Sequence, residues 1–170
     1  MSEKAKLTAG MFTSRTEEWA TPQPVFDWLS ARLGPFDLDV CATVENAKCA
    51  EFFTKSDDAL TKYWFDFGDK IWMNPPYGKE IGRWMKRAYD TAQNGATVVC
   101  LVHARTDTRW FQDWAMQADE IWFIRGRLKF GGGKQSAPFP SCVVVFRPPL
   151  DRQGPGNTPY MRGVKVGGGD

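Results

Sequence analysis

An apolar run from Ala96 to Val102, interrupted only by Thr97, constrains the fold most strongly. Such a short run is typical of a strand that is buried on both faces. Strands of that kind occur mainly in parallel sheets whose two faces are covered by helices. The chain is therefore expected to alternate strands with covering helices.

The rest of the sequence follows this alternation. The spacing of apolar residues predicts helices at about 21–34, 79–93 and 107–118, and strands at 36–42, 70–74, 120–124 and 142–146. The first helix is expected to begin at Thr21-Pro22-Gln23-Pro24, because proline fits a first helical turn, and to end at Gly34. We predict an α/β domain with a mainly parallel central sheet flanked by helices.

The length of 170 residues favours a single domain. Residues 1–18 are polar and without a clear period, so they are expected to form an N-terminal arm. Residues 19–148 hold the predicted strands and helices. Residues 149–170 are rich in glycine and proline and are expected to form a loosely held tail.

Composition excludes several classes of protein. No apolar run approaches the roughly 18 residues that cross a bilayer, and the first residues lack the apolar stretch of a secretion signal. We therefore expect a cytoplasmic protein with no membrane partner. The net charge of +2 is too small to indicate nucleic-acid binding by itself, so DNA contacts would need locally clustered cations.

The cysteines and the histidine do not indicate a metal site. The four cysteines, at 41, 49, 100 and 142, form no C-x-x-C pair, and the chain has one histidine. Zinc sites of the usual kind need closely spaced ligands of these types. We therefore expect no metal.

Ligands of open α/β sheets bind beyond the carboxyl ends of the strands. The polar residues that follow the predicted strands are the first candidates: Asp39 to Ala42, Asn74 to Tyr77, and His103 to Asp107. The lone His103 is interpreted as a residue at the rim of the site, not as a base.

The tetrapeptide Asn74-Pro75-Pro76-Tyr77 carries the most specific chemistry. The two prolines stiffen the turn, so the Asn74 side-chain oxygen and the Pro75 carbonyl become fixed acceptors beside an aromatic ring. Two acceptors that hold the N–H groups of a planar amine draw its nitrogen toward tetrahedral geometry and stabilise the positive charge that grows as it attacks. The alternative is that this tetrapeptide is only a rigid exit turn.

Six segments stand in a fixed order along the chain: Trp19-Ala20-Thr21-Pro22, Asp37 to Ala42 with Glu45 to Cys49, Asn74 to Tyr77, Ala104 to Phe111, Gly126 to Phe130 and Ala137 to Ser141. This ordered set resembles the short phage-type DNA adenine-N6 methyltransferases (Dam-like), within the class I S-adenosylmethionine-dependent methyltransferases. The resemblance covers about residues 19–147.

The resemblance implies an abbreviated Rossmann-like class I methyltransferase fold and a catalytic turn of Asn74, Pro75, Pro76 and Tyr77. Tyr77 would stack on a flipped-out adenine. S-adenosyl-L-methionine would be the cofactor, with Asp39 near its methionine end, Glu45 a candidate for its ribose, and Asp57 or Asp58 near its adenine. The full expected cofactor set is Trp19, Thr21, Pro22, Asp39, Cys41, Ala42, Glu45, Asp57 and Asp58. The sequence departs from the class at Cys41-Ala42-Thr43, where a glycine-rich turn is usual.

A group of cations follows the predicted strands or surrounds the Gly131-Gly132-Gly133 loop, where it could line one rim and contact DNA phosphates. The group comprises Arg105, Arg109, Arg125, Arg127, Lys129 and Lys134. The alternative is an ordinary charged surface. DNA is the expected partner, and the chain is expected to be a monomer or a homodimer.

The resulting hypothesis is methyl transfer from S-adenosylmethionine to adenine N6 in DNA, with base flipping. Two alternatives stay open. The same acceptors suit cytosine N4 or a protein glutamine amide, and an inactive DNA-binding or anti-restriction module could retain the fold.

Overall fold

One sheet of seven strands runs through the computed structural model, which describes residues 19–133, 135–152 and 158–167. In chain order the strands are β1 (Leu38–Asp39), β2 (Glu51–Phe52), β3 (Lys70–Met73), β4 (Thr97–His103), β5 (Glu120–Ile124), β6 (Ser141–Phe146) and β7 (Tyr160–Val164). Their order across the sheet is β2-β1-β3-β4-β6-β5-β7.

Strand direction brings the ends of distant segments to one edge of the sheet. β6 is antiparallel to both β4 and β5, and the other neighbouring pairs are parallel. The carboxyl ends of β1, β3, β4 and β5 therefore meet the amino end of β6 at the same edge, which we call the carboxyl edge. There His103 of β4 pairs with Ser141 of β6.

Helices cover both faces of the sheet. They are α1 (Gln23–Leu33), α2 (Ile81–Gln93) and α3 (Arg109–Asp113). α1 buries Val25, Phe26, Leu29 and Leu33 in a cluster with Trp72, Val99 and Leu101. α2 and α3 bury Met85, Ala88 and Phe111 in a second cluster with Ile71, Val98 and Cys100 on the opposite face. Short 3₁₀ turns occur at Lys55–Asp57, Ala59–Thr61, Trp64–Phe67, Ala115–Gln117, Phe130–Gly132 and Pro149–Asp151.

The predicted α/β architecture with a mainly parallel core is confirmed. The first two predicted helices and the predicted strands at 70–74, 120–124 and 142–146 are also present, within a few residues. Among the helices of the described residues, none is long and apolar enough to span a membrane.

The structure departs from the sequence expectations in three places. β1 covers only Leu38–Asp39, because the Asp39 carboxylate accepts the amide of Cys41 and turns the chain there. The helix predicted at 107–118 ends at Asp113 and continues as a 3₁₀ turn, Ala115–Gln117. Tyr160–Val164, within the segment expected to be a loose tail, pairs with β5 as an edge strand.

Candidate active site

Asn74 follows β3 directly and is held by the segment that precedes α1. Its Nδ2 donates to the carbonyl oxygen of Trp19 at 2.5 Å and to the Thr21 hydroxyl at 2.9 Å. These two bonds fix the orientation of the amide. Its Oδ1 is buried and accepts no hydrogen bond from the described residues. A buried acceptor without a donor costs about 1–3 kcal/mol, and such atoms in folded proteins call for a specific explanation.

A second free acceptor follows in the chain. Pro75 is buried, and within the described part of the chain no group donates to its carbonyl oxygen. The rings of Pro75 and Pro76 hold their own φ angles near −65°, and each proline keeps the residue before it extended. The turn therefore holds the two oxygens that the sequence indicated, and neither accepts a hydrogen bond from the described residues.

Tyr77 completes the turn and is fixed by its hydroxyl. The hydroxyl donates to the Leu101 carbonyl oxygen at 3.0 Å. The ring lies 4.8 Å from the His103 ring and 5.4 Å from the Phe139 ring, measured between centroids. Burial raises the pKa of Tyr77 well above its usual value, so the hydroxyl stays protonated and keeps donating. The ring is thereby held at the wall of a cleft.

That cleft has a volume of about 910 Å³. Its lining combines aromatic rings, the cations Lys79, Arg105 and Arg109, and one acid, Asp113. The full lining is Trp19, Tyr77, Gly78, Lys79, Ile81, Gly82, His103, Arg105, Arg109, Trp110, Asp113, Trp114, Pro138 and Phe139. A flat, negatively charged ligand matches this combination of rings and positive charge.

A small polar hollow lies at the other end of the turn. Its volume is about 20 Å³, and it is lined by Ala20, Thr21, Asp39, Cys41, Asn46, Lys48, Trp72 and Asn74. Asn74 thus lines the hollow and Tyr77 lines the cleft. The turn connects the two cavities.

Asp39 forms the acidic wall of the hollow. It is 2% exposed, and its carboxylate accepts the amides of Cys41 at 3.2 Å and Lys48 at 3.0 Å. Burial raises the pKa of Asp39, and the two amide hydrogen bonds act in the opposite direction. The side chain organises residues 41–48 and also places a carboxylate at the carboxyl edge.

The other residues expected to bind a cofactor are divided between two regions. Trp19, Thr21 and Cys41 line the cleft or the hollow, while Ala42 is buried and Pro22 caps α1. Three acids lie outside the lining of both cavities and are exposed: Glu45, Asp57 and Asp58.

Local partners account for two of these acids. The Thr43 side chain lowers the pKa of Glu45 through a hydrogen bond. Asp57 accepts the backbone amide and the hydroxyl of Thr54, both at 2.7 Å, and so caps a 3₁₀ turn. The structure does not bring them together with Asp39.

The cations expected to contact DNA lie along the carboxyl edge. Arg105 and Arg109 line the cleft. Arg125, Arg127 and Lys129 are exposed in the segment that follows β5 at the same edge. Lys134 lies outside the described residues.

His103 lies between two rings of the cleft. It is 8% exposed, and its ring stacks on Trp110 at 5.3 Å with an interplanar angle of 27°. Burial is the main cause that lowers the pKa of His103, and the nearby Arg105 acts in the same direction. The imidazole is therefore neutral at physiological pH, and its Nδ1 has no partner among the described residues.

Sequence reasoning did not assign several residues of these cavities to the site. Phe139 reaches the cleft because the Pro140 carbonyl accepts the Ala104 amide at 2.9 Å, at the amino end of the antiparallel strand β6. The direction of β6 cannot be read from its apolar pattern. The helical spacing of Trp110 suits a core residue, and Lys48 carries no signal beyond its place after Asp39. Within the described residues, no cluster of histidine, cysteine, aspartate and glutamate could hold a metal ion.

Comparisons with known proteins agree on one family. The model of the family described as DNA N-6-adenine-methyltransferase (Dam) matches residues 10–152. The chain is 32% identical over 110 residues to a DNA N-6-adenine-methyltransferase of Escherichia phage T1, a match that spans 65% of this chain and 45% of that protein. It is also 32% identical over 137 residues to a protein of the same name from Haemophilus phage HP1, spanning 76% of this chain and 78% of the relative.

Proposed function

The chain belongs to the DNA N-6-adenine-methyltransferase (Dam) family, and we propose that it methylates adenine N6 in DNA at the turn Asn74–Tyr77, with S-adenosylmethionine as methyl donor. The observation that carries this proposal is the buried Oδ1 of Asn74, which has no donor within the described part of the chain although its amide nitrogen is bonded twice. An acceptor held in this way suits the N–H donors of an amine.

The two oxygens of the turn act on the adenine amino group. Asn74 Oδ1 and the Pro75 carbonyl oxygen each accept one of its N–H bonds. This favours tetrahedral geometry at nitrogen and makes its lone pair available. As the new N–C bond forms, nitrogen becomes positively charged, and both oxygens stabilise that charge. Because the acceptors are fixed before the reaction, they need little reorganisation when the charge appears.

The large cleft receives the base. In a DNA duplex the adenine amino group is paired and stacked, so the base must leave the helix to react. Tyr77 offers a ring at the cleft wall that is locked by its bond to Leu101. Stacking on that ring sets the angle between the base and the two acceptors.

No strong base is needed in this scheme. The amine loses its proton after the transfer, when it is a cation and therefore acidic, and water can accept the proton. His103 is neutral because burial lowers its pKa, and its ring serves as part of the stacked wall. The role of this residue is packing against Tyr77 and Trp110.

The hollow matches the cofactor in charge but is too small to hold it. S-adenosylmethionine, when bound, supplies a methyl group on a positively charged sulfur. The Asp39 carboxylate in its lining matches the positive charge of the methionine end. The hollow of about 20 Å³ holds roughly one water, so in this conformation it is too small for the methionine end of the cofactor.

The exposed cations give the affinity for DNA. Arg105 and Arg109 lie in the cleft, and Arg125, Arg127 and Lys129 extend the positive surface along the same edge. Contacts of this kind to phosphates bind DNA independently of sequence and weaken as salt concentration rises.

The test is to identify the methylated product. The protein is incubated with DNA and with S-adenosylmethionine labelled in its methyl group. The DNA is then digested to nucleosides, and the labelled nucleoside is identified by mass spectrometry. We expect label in N6-methyldeoxyadenosine. Label in N4-methyldeoxycytidine or in protein glutamine contradicts the adenine assignment. An absence of both transfer and cofactor binding by calorimetry favours an inactive DNA-binding module.

A further inference from the structure

The cleft beside Tyr77 offers more space than one base fills. Pockets of roughly 300–1,000 Å³ hold drug-sized ligands, and a volume of about 910 Å³ lies near the top of that range. A single nucleobase is smaller than such ligands. If the target adenine lies against Tyr77, as the proposed function requires, a large part of the cleft remains open toward α3.

The remaining part of the cleft has its own aromatic wall. Trp110 is partly exposed and lines the cleft on the α3 side. Its ring stacks on His103, and His103 in turn contacts Tyr77. The His103 ring thus links the two walls.

Free positive charge accompanies this second wall. Arg109 directly precedes Trp110, and Arg105 lies in the loop between β4 and α3. Both are exposed and line the cleft, and neither forms a salt bridge with any of the residues that the structure describes. An aromatic ring beside unpaired guanidinium groups is the combination that binds single-stranded nucleic acid, with the base on the ring and the phosphate on the cations.

We propose that Trp110 binds the base of a nucleotide adjacent to the target adenine, and that Arg105 and Arg109 bind the phosphate of that nucleotide. The inference rests on the proposed function, since it places the adenine at Tyr77. It adds that at least two neighbouring bases of the substrate strand are unpaired from the complementary strand when they enter the cleft.

Binding of short oligonucleotides tests the second subsite without catalysis. The probes are single-stranded pentanucleotides with one central adenine, either intact or with an abasic residue on its 5′ or its 3′ side. Stacking on an aromatic side chain contributes about 1–3 kcal/mol per base, so one of the two abasic probes should bind the wild type about 5- to 150-fold more weakly. Equal affinity for all three probes would overturn the proposal.

Substitutions at Trp110 assign the effect to this ring. Trp110→Phe keeps a flat ring and should retain most of the discrimination between intact and abasic probes. Trp110→Leu keeps apolar bulk without the ring and should bind all three probes alike. The control is Trp28→Leu, because Trp28 is a partly buried tryptophan of α1 that lines neither cavity. Wild-type discrimination in a folded Trp110→Leu protein would contradict the assignment, and the wild-type comparison stands if that variant does not fold.

Salt dependence tests the role of the arginines. Removing one phosphate contact to a single strand lowers the slope of log affinity against log salt by about 0.7. We expect this change in Arg109→Gln and no change in Arg83→Gln, whose arginine pairs with Glu80 on the exposed side of α2. An unchanged slope in Arg109→Gln would refute its phosphate contact.

Failure of this inference is distinguishable from failure of the proposed function. If the wild type produces N6-methyldeoxyadenosine but does not discriminate abasic probes, the second subsite alone is refuted. If it produces no methylated adenine, the proposed function fails, and with it the placement of the target base on which the second subsite rests.

Discussion

Thr21 accepts a hydrogen bond from Asn74 at 2.9 Å, although 53 residues separate them in the chain. Together with the Trp19 carbonyl, the Thr21 hydroxyl occupies both N–H bonds of the amide. The side-chain oxygen of Asn74 is therefore turned away from these partners and accepts no hydrogen bond from the described residues. We propose that Thr21 is a positioning residue that acts through Asn74.

We predict that Thr21→Val lowers kcat by about 2- to 10-fold, because the loss of one hydrogen bond of about 0.5–1.5 kcal/mol loosens the amide. The KM for DNA should not change, and Thr21→Ser should restore kcat, since serine keeps the acceptor. Steady-state kinetics measure the split between kcat and KM. Thr61→Val, at an exposed threonine bonded to the Asp58 carbonyl, is the control. Wild-type kcat in Thr21→Val would exclude the positioning role.

Tyr77 allows the ring and the hydroxyl to be tested separately. Tyr77→Phe keeps the ring but leaves the Leu101 carbonyl without its donor. It should lower the free energy of unfolding by about 1–3 kcal/mol and keep kcat within a few-fold. Tyr77→Leu keeps apolar bulk without the ring and should lose most of the turnover. Urea unfolding and single-turnover methyl transfer measure the two effects, and a fully active Tyr77→Leu protein would rule out stacking on the base.

His103 gives a prediction about pH. Its pKa is lowered from 6.5 in the folded protein, mainly by burial. Below about pH 6.5 the unfolded chain binds a proton that the folded protein does not, so the stability that His103 contributes is lost as the pH falls through the folded pKa. Because the chain has one histidine, the ring proton signal of untagged protein reports this pKa directly by NMR. We expect a midpoint below 6.5.

The variant His103→Phe checks the sign of that linkage. Phenylalanine keeps a ring next to Tyr77 and Trp110 but does not titrate. When the pH is lowered from 7.5 to 5.5, the unfolding free energy of the wild type should fall relative to that of His103→Phe. A midpoint above 6.5 would contradict this prediction. So would a difference in unfolding free energy between the two proteins that does not depend on pH.

Much of the fold could be predicted from sequence because its signals are local. Neighbouring residues determine the apolar run that forms β4, the helices α1 and α2, and the turn after β3. β2 and β7 could not be predicted in this way. Glu51–Phe52 is too short to show a period, and Tyr160–Val164 lies in a glycine-rich and proline-rich segment whose strand depends on pairing with β5.

The residues of the candidate site also differ in whether a local sequence pattern indicates their role. The types of residue at Asn74–Tyr77 indicate two acceptors beside a ring. The orientation of the Asn74 amide depends on Trp19 and Thr21, which no local pattern connects to it. Trp110 has helical spacing that suits a core residue equally well, and only the position of α3 beside the cleft distinguishes the two roles.

Single-turnover methyl transfer by Asn74→Ala tests whether the side-chain oxygen of Asn74 activates the amine. Cofactor and DNA affinities are measured on the same samples, and Asn94→Ala, at an exposed asparagine that ends α2, is the matched control. We predict that Asn74→Ala transfers methyl groups about 10²- to 10³-fold more slowly, as for other lost transition-state contacts, with cofactor affinity largely kept and Asn94→Ala unchanged. Wild-type transfer rates in Asn74→Ala would contradict the account.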